Sequence, residues 1–255
     1  MKIKLNLLGL CGLLIILLIG CQKDLSDLET AQGNGRLKQV LLYSDINSKD
    51  PISIVENYEY NDLGNISKVS SPMYNNGTIS GIIKYDLYEY NELGQLMKIL
   101  NYNANAYSPT GFINLKNTTF AYSHEGQKIK ETIDYPQGGI PDYLDFKYHN
   151  GLLSKVEKYH GSQLENYTEF QYDKSGKLVK EYFYGSDNLC IRYTIHSYTG
   201  PLQTKSDLYI YKNNEHYRSI SRTFDKSNNL IVLDSKELSL YSSLMSHVLR
   251  YEYYD

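Results

Sequence analysis

The chain has 255 residues, with 26 Lys and Arg against 29 Asp and Glu, a net charge of −3, and no tryptophan. This acidic balance argues against a nucleic-acid partner and against an electrostatic hold on a membrane. Tyrosine occurs 27 times, while alanine is confined to Ala31, Ala104, Ala106 and Ala121, a composition that disfavours helices and suits pleated surfaces.

The chain opens with basic Lys2 and Lys4, runs apolar from Leu5 to Ile19, and closes that segment on Gly20 and Cys21. The order is that of a lipoprotein signal: small Gly20 fits the peptidase and the Cys21 thiol takes the diacylglyceryl group. An apolar run of about 15 residues is short against the roughly 20 needed to span a bilayer as a helix. Residues 1–20 are therefore the expected leader, and residues 21–35, polar and bearing Gly33 and Gly35, a lipidated tether. Cleavage removes Lys2 and Lys4 and leaves a net charge of −5, so the lipid must supply the membrane partner. Cys21, Gln22, Lys23 and Asp24 also resemble the export signal of Bacteroidetes surface lipoproteins, although Leu25 interrupts the acidic run. That resemblance implies an outer-membrane lipoprotein at the cell surface, with the periplasmic leaflet as the alternative. Of three cysteines only Cys190 remains in the body, so no internal disulfide can form; its apolar neighbours Leu189 and Ile191 mark a core residue.

Residues 36–255 read as one array. An aromatic, a short polar turn closed by Gly or Asn, and an aliphatic residue recur from Tyr58 to Lys68, Tyr88 to Lys98, Phe146 to Lys155, Phe170 to Lys180 and Phe224 to Leu230, more weakly near Tyr122 and Tyr198. Repeats at 24 to 32 residues belong to solenoids, propellers or extended sheets. With Asn61 opening a type I turn and Gly64 supplying a left-handed residue, each unit is a β-hairpin. The turn predicts Tyr60 opposite Ile66, Glu59 opposite Ser67 and Tyr58 opposite Lys68. The same rule places Tyr90 opposite Leu96, Tyr172 opposite Leu178 and Phe224 opposite Leu230. Near Asn150 and Gly151 the loop is a residue shorter, yet a two-residue type I′ turn still sets Tyr148 opposite Leu153, with Phe146 opposite Lys155. Aromatic–Lys pairs of this kind suit either core packing with lysine stems along rings or a tyrosine groove that stacks on a sugar or lipid.

Tyr172, Asp173, Gly176 and Leu178 match the YD repeat of RHS and teneurin-type proteins, and the other copies relax Asp to Asn or Tyr to Phe. The resemblance spans most of residues 35–233 and implies stacked hairpins. RHS proteins build a large closed shell from such repeats. This chain is far shorter and looks more like small repeat lipoproteins of Bacteroidetes. The expected fold is all-β: an antiparallel meander of hairpins rolled into a barrel-like or half-shell sheet, because a flat layer would leave apolar surface and two strand edges in water. Arg36 to Ser44 opens it and Arg250 to Tyr254 supplies the last strand; Leu238, Tyr241, Met245 and Val248 also permit a short helix over 239–249.

No catalytic or metal spacing is present. The six histidines are scattered, and Asp134, Asp142 and Asp145 lack the alternation of a calcium loop, so no metal, cofactor or enzyme activity is predicted. Two long connections combine aromatics with Gly and Pro, and Tyr107, Phe112, Tyr135 and Tyr143 within or beside them are the candidate ligand-binding residues. The chain is expected to be a non-enzymatic envelope lipoprotein that binds a glycan, peptide or protein partner through a tyrosine-rich sheet. A structural repeat array without a small ligand is the alternative, and a glycan-active enzyme the third reading.

Overall fold

In a computed structural model of the chain, residues 36–44, 46–75, 78–237 and 246–253 are described. The leader, Cys21 and the tether lie outside the described residues. Sixteen strands follow one another: β1 (Leu37–Tyr43), β2 (Ser53–Tyr60), β3 (Ile66–Asn75), β4 (Thr78–Tyr90), β5 (Leu96–Ala104), β6 (Phe112–Tyr122), β7 (Lys128–Asp134) and β8 (Asp142–His149), then β9 (Leu152–His160), β10 (Gln163–Tyr172), β11 (Leu178–Gly185), β12 (Cys190–Thr199), β13 (Leu202–Ile210), β14 (Glu215–Phe224), β15 (Leu230–Glu237) and β16 (Ser246–Tyr253). Each pairs antiparallel with its sequence neighbours, and β16 pairs with β1, so the meander closes into a barrel. Ser246 to Leu249 belong to β16, so the helical reading of 239–249 fails there; the alternating contacts of Val248 and Leu249 with two different clusters fit a strand.

The turns have the predicted chemistry. Asn61 Oδ1 accepts from the amides of Leu63 and Asn65 at 3.1 and 2.9 Å, and Asp173 Oδ1 from those of Ser175 and Lys177 at 2.8 and 3.0 Å. This is why the residue after the repeat aromatic is Asn or Asp. Gly64, Gly94 and Gly176 have φ of 88°, 76° and 82°, and Asn228 takes the same conformation at 66°. At Gly94 an added Cβ would meet nothing within 4 Å, so the backbone conformation alone demands glycine.

The register holds at the first pair and slips at the second. Tyr60 opposes Ile66 and Tyr90 opposes Leu96, but Glu59 opposes Lys68 and Tyr58 opposes Val69, with Ser67 bulged between them. Phe146 likewise opposes Val156 rather than Lys155. One inserted residue reverses the facing of all that follow, so the lysine moves to the outer side and its place inside goes to Val69, Ile99 or Val156, and in two other hairpins to Glu131 and Glu181. The same slip recurs in the next hairpin: Leu96 and Ile99 share the inner side, opposite Tyr90 and Tyr88, and Lys98 faces out opposite Glu89.

The repeat aromatics lie on the inner side, where the buried clusters are. Phe146, Leu153, Val156, Phe170 and Leu178 form one, and Val40, Ile220, Leu233 and Leu249 another. Both hug neighbouring strands, and neither joins opposite walls. Sixteen strands at about 4.8 Å spacing, tilted by roughly 40°, would enclose a circle about 30 Å across, wide enough for a water-filled interior. At the seam the outer side is covered too. Leu41, Tyr43 and Val248 are buried there, and Arg250 lies over the Tyr43 ring while donating to the carbonyls of Ile46 and Ser48.

The repeat tyrosine staples hairpins together. Between successive hairpins the backbone ladder stops short of the turn end: β9 and β10 last pair at Lys155 and Glu169, leaving Leu153 beyond it. There the Tyr172 hydroxyl donates to the Leu153 carbonyl at 2.8 Å, and Tyr60, Tyr122, Tyr148, Tyr198 and Tyr253 do the same to Leu37, Leu96, Lys128, Leu178 and Leu230. A phenol thus supplies the rung that the diverging strands omit. Tyr172→Phe should lower stability by about 1–3 kcal/mol, because it strands a carbonyl beside a ring that still fits. An unchanged urea midpoint would show that the rung carries no weight.

Candidate functional site

Counting back from the repeat aromatic, the inner residue two positions earlier is Tyr58, Tyr88, Phe120, Phe146, Phe170 and Tyr251 in six units. In the two others, on β12 and β14, it is His196 and Arg222. Where a repeat departs from its own rule, a function or a strain is expected. Here the departures meet. His196 and Ser206 are direct cross-strand partners, and Nδ1 and Oγ are 3.0 Å apart. His196 Nε2 lies 3.1 Å from Glu181 Oε1, Gln203 contacts Nδ1, and Arg222 Nη1 donates to Ser206 Oγ at 2.9 Å. This polar joint on β11 to β14 separates the two apolar clusters of the inner wall. It aligns a serine, an imidazole and a carboxylate, but Ser206 is only 4% exposed and its oxygen already accepts from Arg222, so no carbonyl carbon has an open approach. The joint positions Arg222 and stiffens the wall.

Elsewhere on the inner wall, burial raises the Tyr58 phenol well above its ordinary pKa, helped by the nearby Glu56 carboxylate, to which its hydroxyl donates at 2.6 Å. Burial also raises Tyr88 and Tyr251, with Asp86 and Glu56 adding to the first and Glu56 to the second.

The predicted binding residues lie on the outer wall and at the end of the barrel opposite the repeat turns. Tyr107, in the β5–β6 connection, is 98% exposed. Phe112 meets Tyr85 edge-on at 4.8 Å, within a stack that includes Tyr102. Tyr143 stacks on Tyr159 at 4.8 Å under the Lys130 ammonium. Tyr135 donates to Asp142 at 2.8 Å, and His160 Nδ1 lies 2.6 Å from the other oxygen of that carboxylate. Burial opposes ionisation of Asp142, but these two hydrogen bonds outweigh it and hold the carboxyl below the usual range. Burial and the Asp142 bond push Tyr135 up to about 12. Phe112 and Tyr143 therefore sit in two separate stacks, with Tyr135 in a third group.

Other tyrosines pair face to face along the outer wall. Tyr167 stacks on Tyr184 at 4.7 Å, and Tyr193 on Tyr209 at 5.0 Å, with His216 continuing the row at 4.8 Å. Rings that spend their faces on one another show solvent only edges and hydroxyls, which a sugar cannot stack upon. Asp207 anchors this row: Lys205 Nζ, His216 Nε2 and Ser219 Oγ lie 2.8, 3.1 and 2.6 Å from its oxygens. Cys190 is partly buried, with its thiol raised by burial, as suits a packing residue rather than a nucleophile. Among the described residues no three metal-ligating side chains converge.

Fold and site together define a closed hairpin-repeat barrel with a polar joint in its inner wall. No protein-family profile matches the chain, and no curated protein matches it in sequence. Solved structures similar to it include a porin-like protein from Bacteroides uniformis (9% identity, TM-score 0.39, 86% of this chain and 96% of that one) and another from Bacteroides vulgatus (11%, 0.36, 86% and 99%). A third is a Tc holotoxin pore of Photorhabdus luminescens (11%, 0.34), where 78% of this chain covers only 11% of that one.

Proposed function

We propose that this chain is a non-enzymatic, lipid-anchored barrel of the cell envelope that stands in water beside its membrane and binds an envelope component. The observation that carries this reading is the charge on the outer wall. Lys155 meets Glu157 at 3.2 Å and Lys205 meets Asp207 at 2.8 Å on the outward side of mid-strand positions, and Lys147 meets Glu157 at 2.6 Å and Lys68 meets Glu59 at 2.9 Å on the same side, Lys147 and Lys68 lying nearer the turns. In a membrane-spanning barrel each outward lysine near the midplane would cost about 2–4 kcal/mol. The anchor is then the lipid on Cys21, and the wall remains free of bilayer. The partner is a glycan, peptide or protein, and the self-stacked outer tyrosines favour contact through the barrel interior or its loop end over the outer wall.

Detergent phase partition of the wild type and of a chain beginning at Gln22, which lacks both the apolar leader and Cys21, separates the alternatives. The lipidated wild type should enter the detergent phase and the chain from Gln22 the aqueous phase. A chain from Gln22 that stays with detergent would mean that the wall itself is embedded.

A further inference from the structure

Six residues before the repeat aromatic, on the same unbulged strand and therefore on the inner side, four units carry a cation: Lys84, Lys116, Arg192 and Arg218. They form a tier on β4, β6, β12 and β14, toward the loop end of the barrel and above the inner aromatics. In the ring order β4 lies opposite β12, and β6 opposite β14, so the cations occupy facing walls.

Their pairing is unlike that of the outer wall. Outside, Lys68, Lys147 and Lys205 each meet a carboxylate within 2.9 Å. Inside, among the described residues, no hydrogen bond or ion pair reaches the side-chain nitrogens of Lys84, Lys116 or Arg192, and all three residues keep part of their surface accessible. The neighbouring Asp86 accepts from Asn101 and feels the charges of Lys84 and Lys116 without a direct contact to either. Arg192 is held with its guanidinium 4.1 Å from the centre of the Phe183 ring, which fixes it without using its donors. A guanidinium so placed can bind a carboxylate through two parallel N–H donors. In a chain whose net charge is −3, these three inward cations with open donors form a receptor for negative charge.

We propose that the barrel interior binds an acidic oligosaccharide, its carboxylates on Lys84, Lys116 and Arg192 and its apolar sugar faces toward half-buried inner aromatics such as Tyr88. The cations alone would suit any small anion. The aromatic tier, two inward positions deeper, favours a sugar chain, since C–H faces pack on rings that amide or phosphate groups do not match. This inference rests on the reading of a water-standing, non-enzymatic barrel and gives its partner a chemical class.

Titration calorimetry of the detergent-solubilised full chain tests it, with an oligogalacturonate, its fully methyl-esterified form and inorganic phosphate as probes. The free acid should bind, weaken with salt, and lose at least tenfold in affinity in Arg192→Gln; the ester and phosphate should bind at least tenfold more weakly than the acid. Lys147→Gln, which removes an outer-wall charge, should bind like the wild type. The double variant Lys84→Gln with Lys116→Gln gives the same test on the facing wall should Arg192→Gln misfold. Absence of oligogalacturonate binding, equal binding of the ester or of phosphate, or unchanged affinity in a folded Arg192→Gln would each overturn the proposal. Phase partition of the chain beginning at Gln22, read separately, reports whether the barrel stands in water.

Discussion

Raising the pH beyond about 10 is expected to unfold this barrel cooperatively, with phenolate absorbance from inner tyrosines appearing only as the β-sheet signal is lost. Tyr58, Tyr88 and Tyr251 have phenols raised above the ordinary value, first by burial and then by carboxylates such as Glu56 and Asp86. A group whose folded pKa is raised contributes stability that is complete below its unfolded pKa, here about 10, and declines as pH climbs toward the folded value. Above that point the unfolded chain can release protons that the folded chain must keep. Each such tyrosine costs about 1.4 kcal/mol per pH unit, so three cost on the order of 4 kcal/mol per unit. A domain with 5–15 kcal/mol in hand would lose it within a few pH units. Tyr88→Phe removes one of the three and should move the alkaline midpoint upward. Complete tyrosine ionisation by about pH 11 with an intact β-sheet signal would contradict the picture of an enclosed inner tier.

The hairpins were legible because their turns are local. Asn61 to Asn65 and Asp173 to Lys177 each carry the polar opener and the left-handed residue that a three-residue loop requires, and the first pairs, Tyr60 with Ile66 and Tyr172 with Leu178, follow from that geometry. The bulge at Ser67 was not legible, since nothing in its residue type announces it. Its trace is the lysine at the third position after the turn, which belongs in water and faces it only if a residue is inserted. Closure was hidden for another reason. Tyr251 and Tyr253 repeat the pattern of Tyr58 and Tyr60, but their partners Val40 and Leu37 lie at the other end of the chain, so the eighth unit is split between β16 and β1 and no local window contains it. The joint at His196 could have been found by aligning the units and asking which ones lack the inner aromatic, and the inward cations by reading the same alignment six residues before the repeat aromatic. The residues chosen from the long connections followed loop length instead, and the structure leaves Tyr107 in solvent and Phe112 and Tyr143 in different stacks.

That split unit makes the seam the place where one substitution should matter most. The other hairpins are joined by turns, so their two strands are always near each other, whereas β16 must find β1 across nearly the whole chain and is held there by its ladder and side-chain packing with no turn to join them. Val248 is 1% exposed, packs with Leu41 and Tyr43, and stands directly opposite Tyr43 on β1 and Asp234 on β15. Asp234 is itself 8% exposed. Val248→Asp would place a second carboxylate in that buried packing, beside an Asp234 that already takes up Lys236 at 3.2 Å, at a cost of about 3–5 kcal/mol. Val248→Ala removes only packing and should cost roughly 1.5–3 kcal/mol. Opening the seam exposes the edges of β1 and β15, and free edges pair with other chains. Val248→Asp should therefore form oligomers in size-exclusion chromatography with light scattering, while Val248→Ala keeps the wild-type mass and melts lower. A Val248→Asp chain with the wild-type mass and melting temperature would show that β16 does not close the ring.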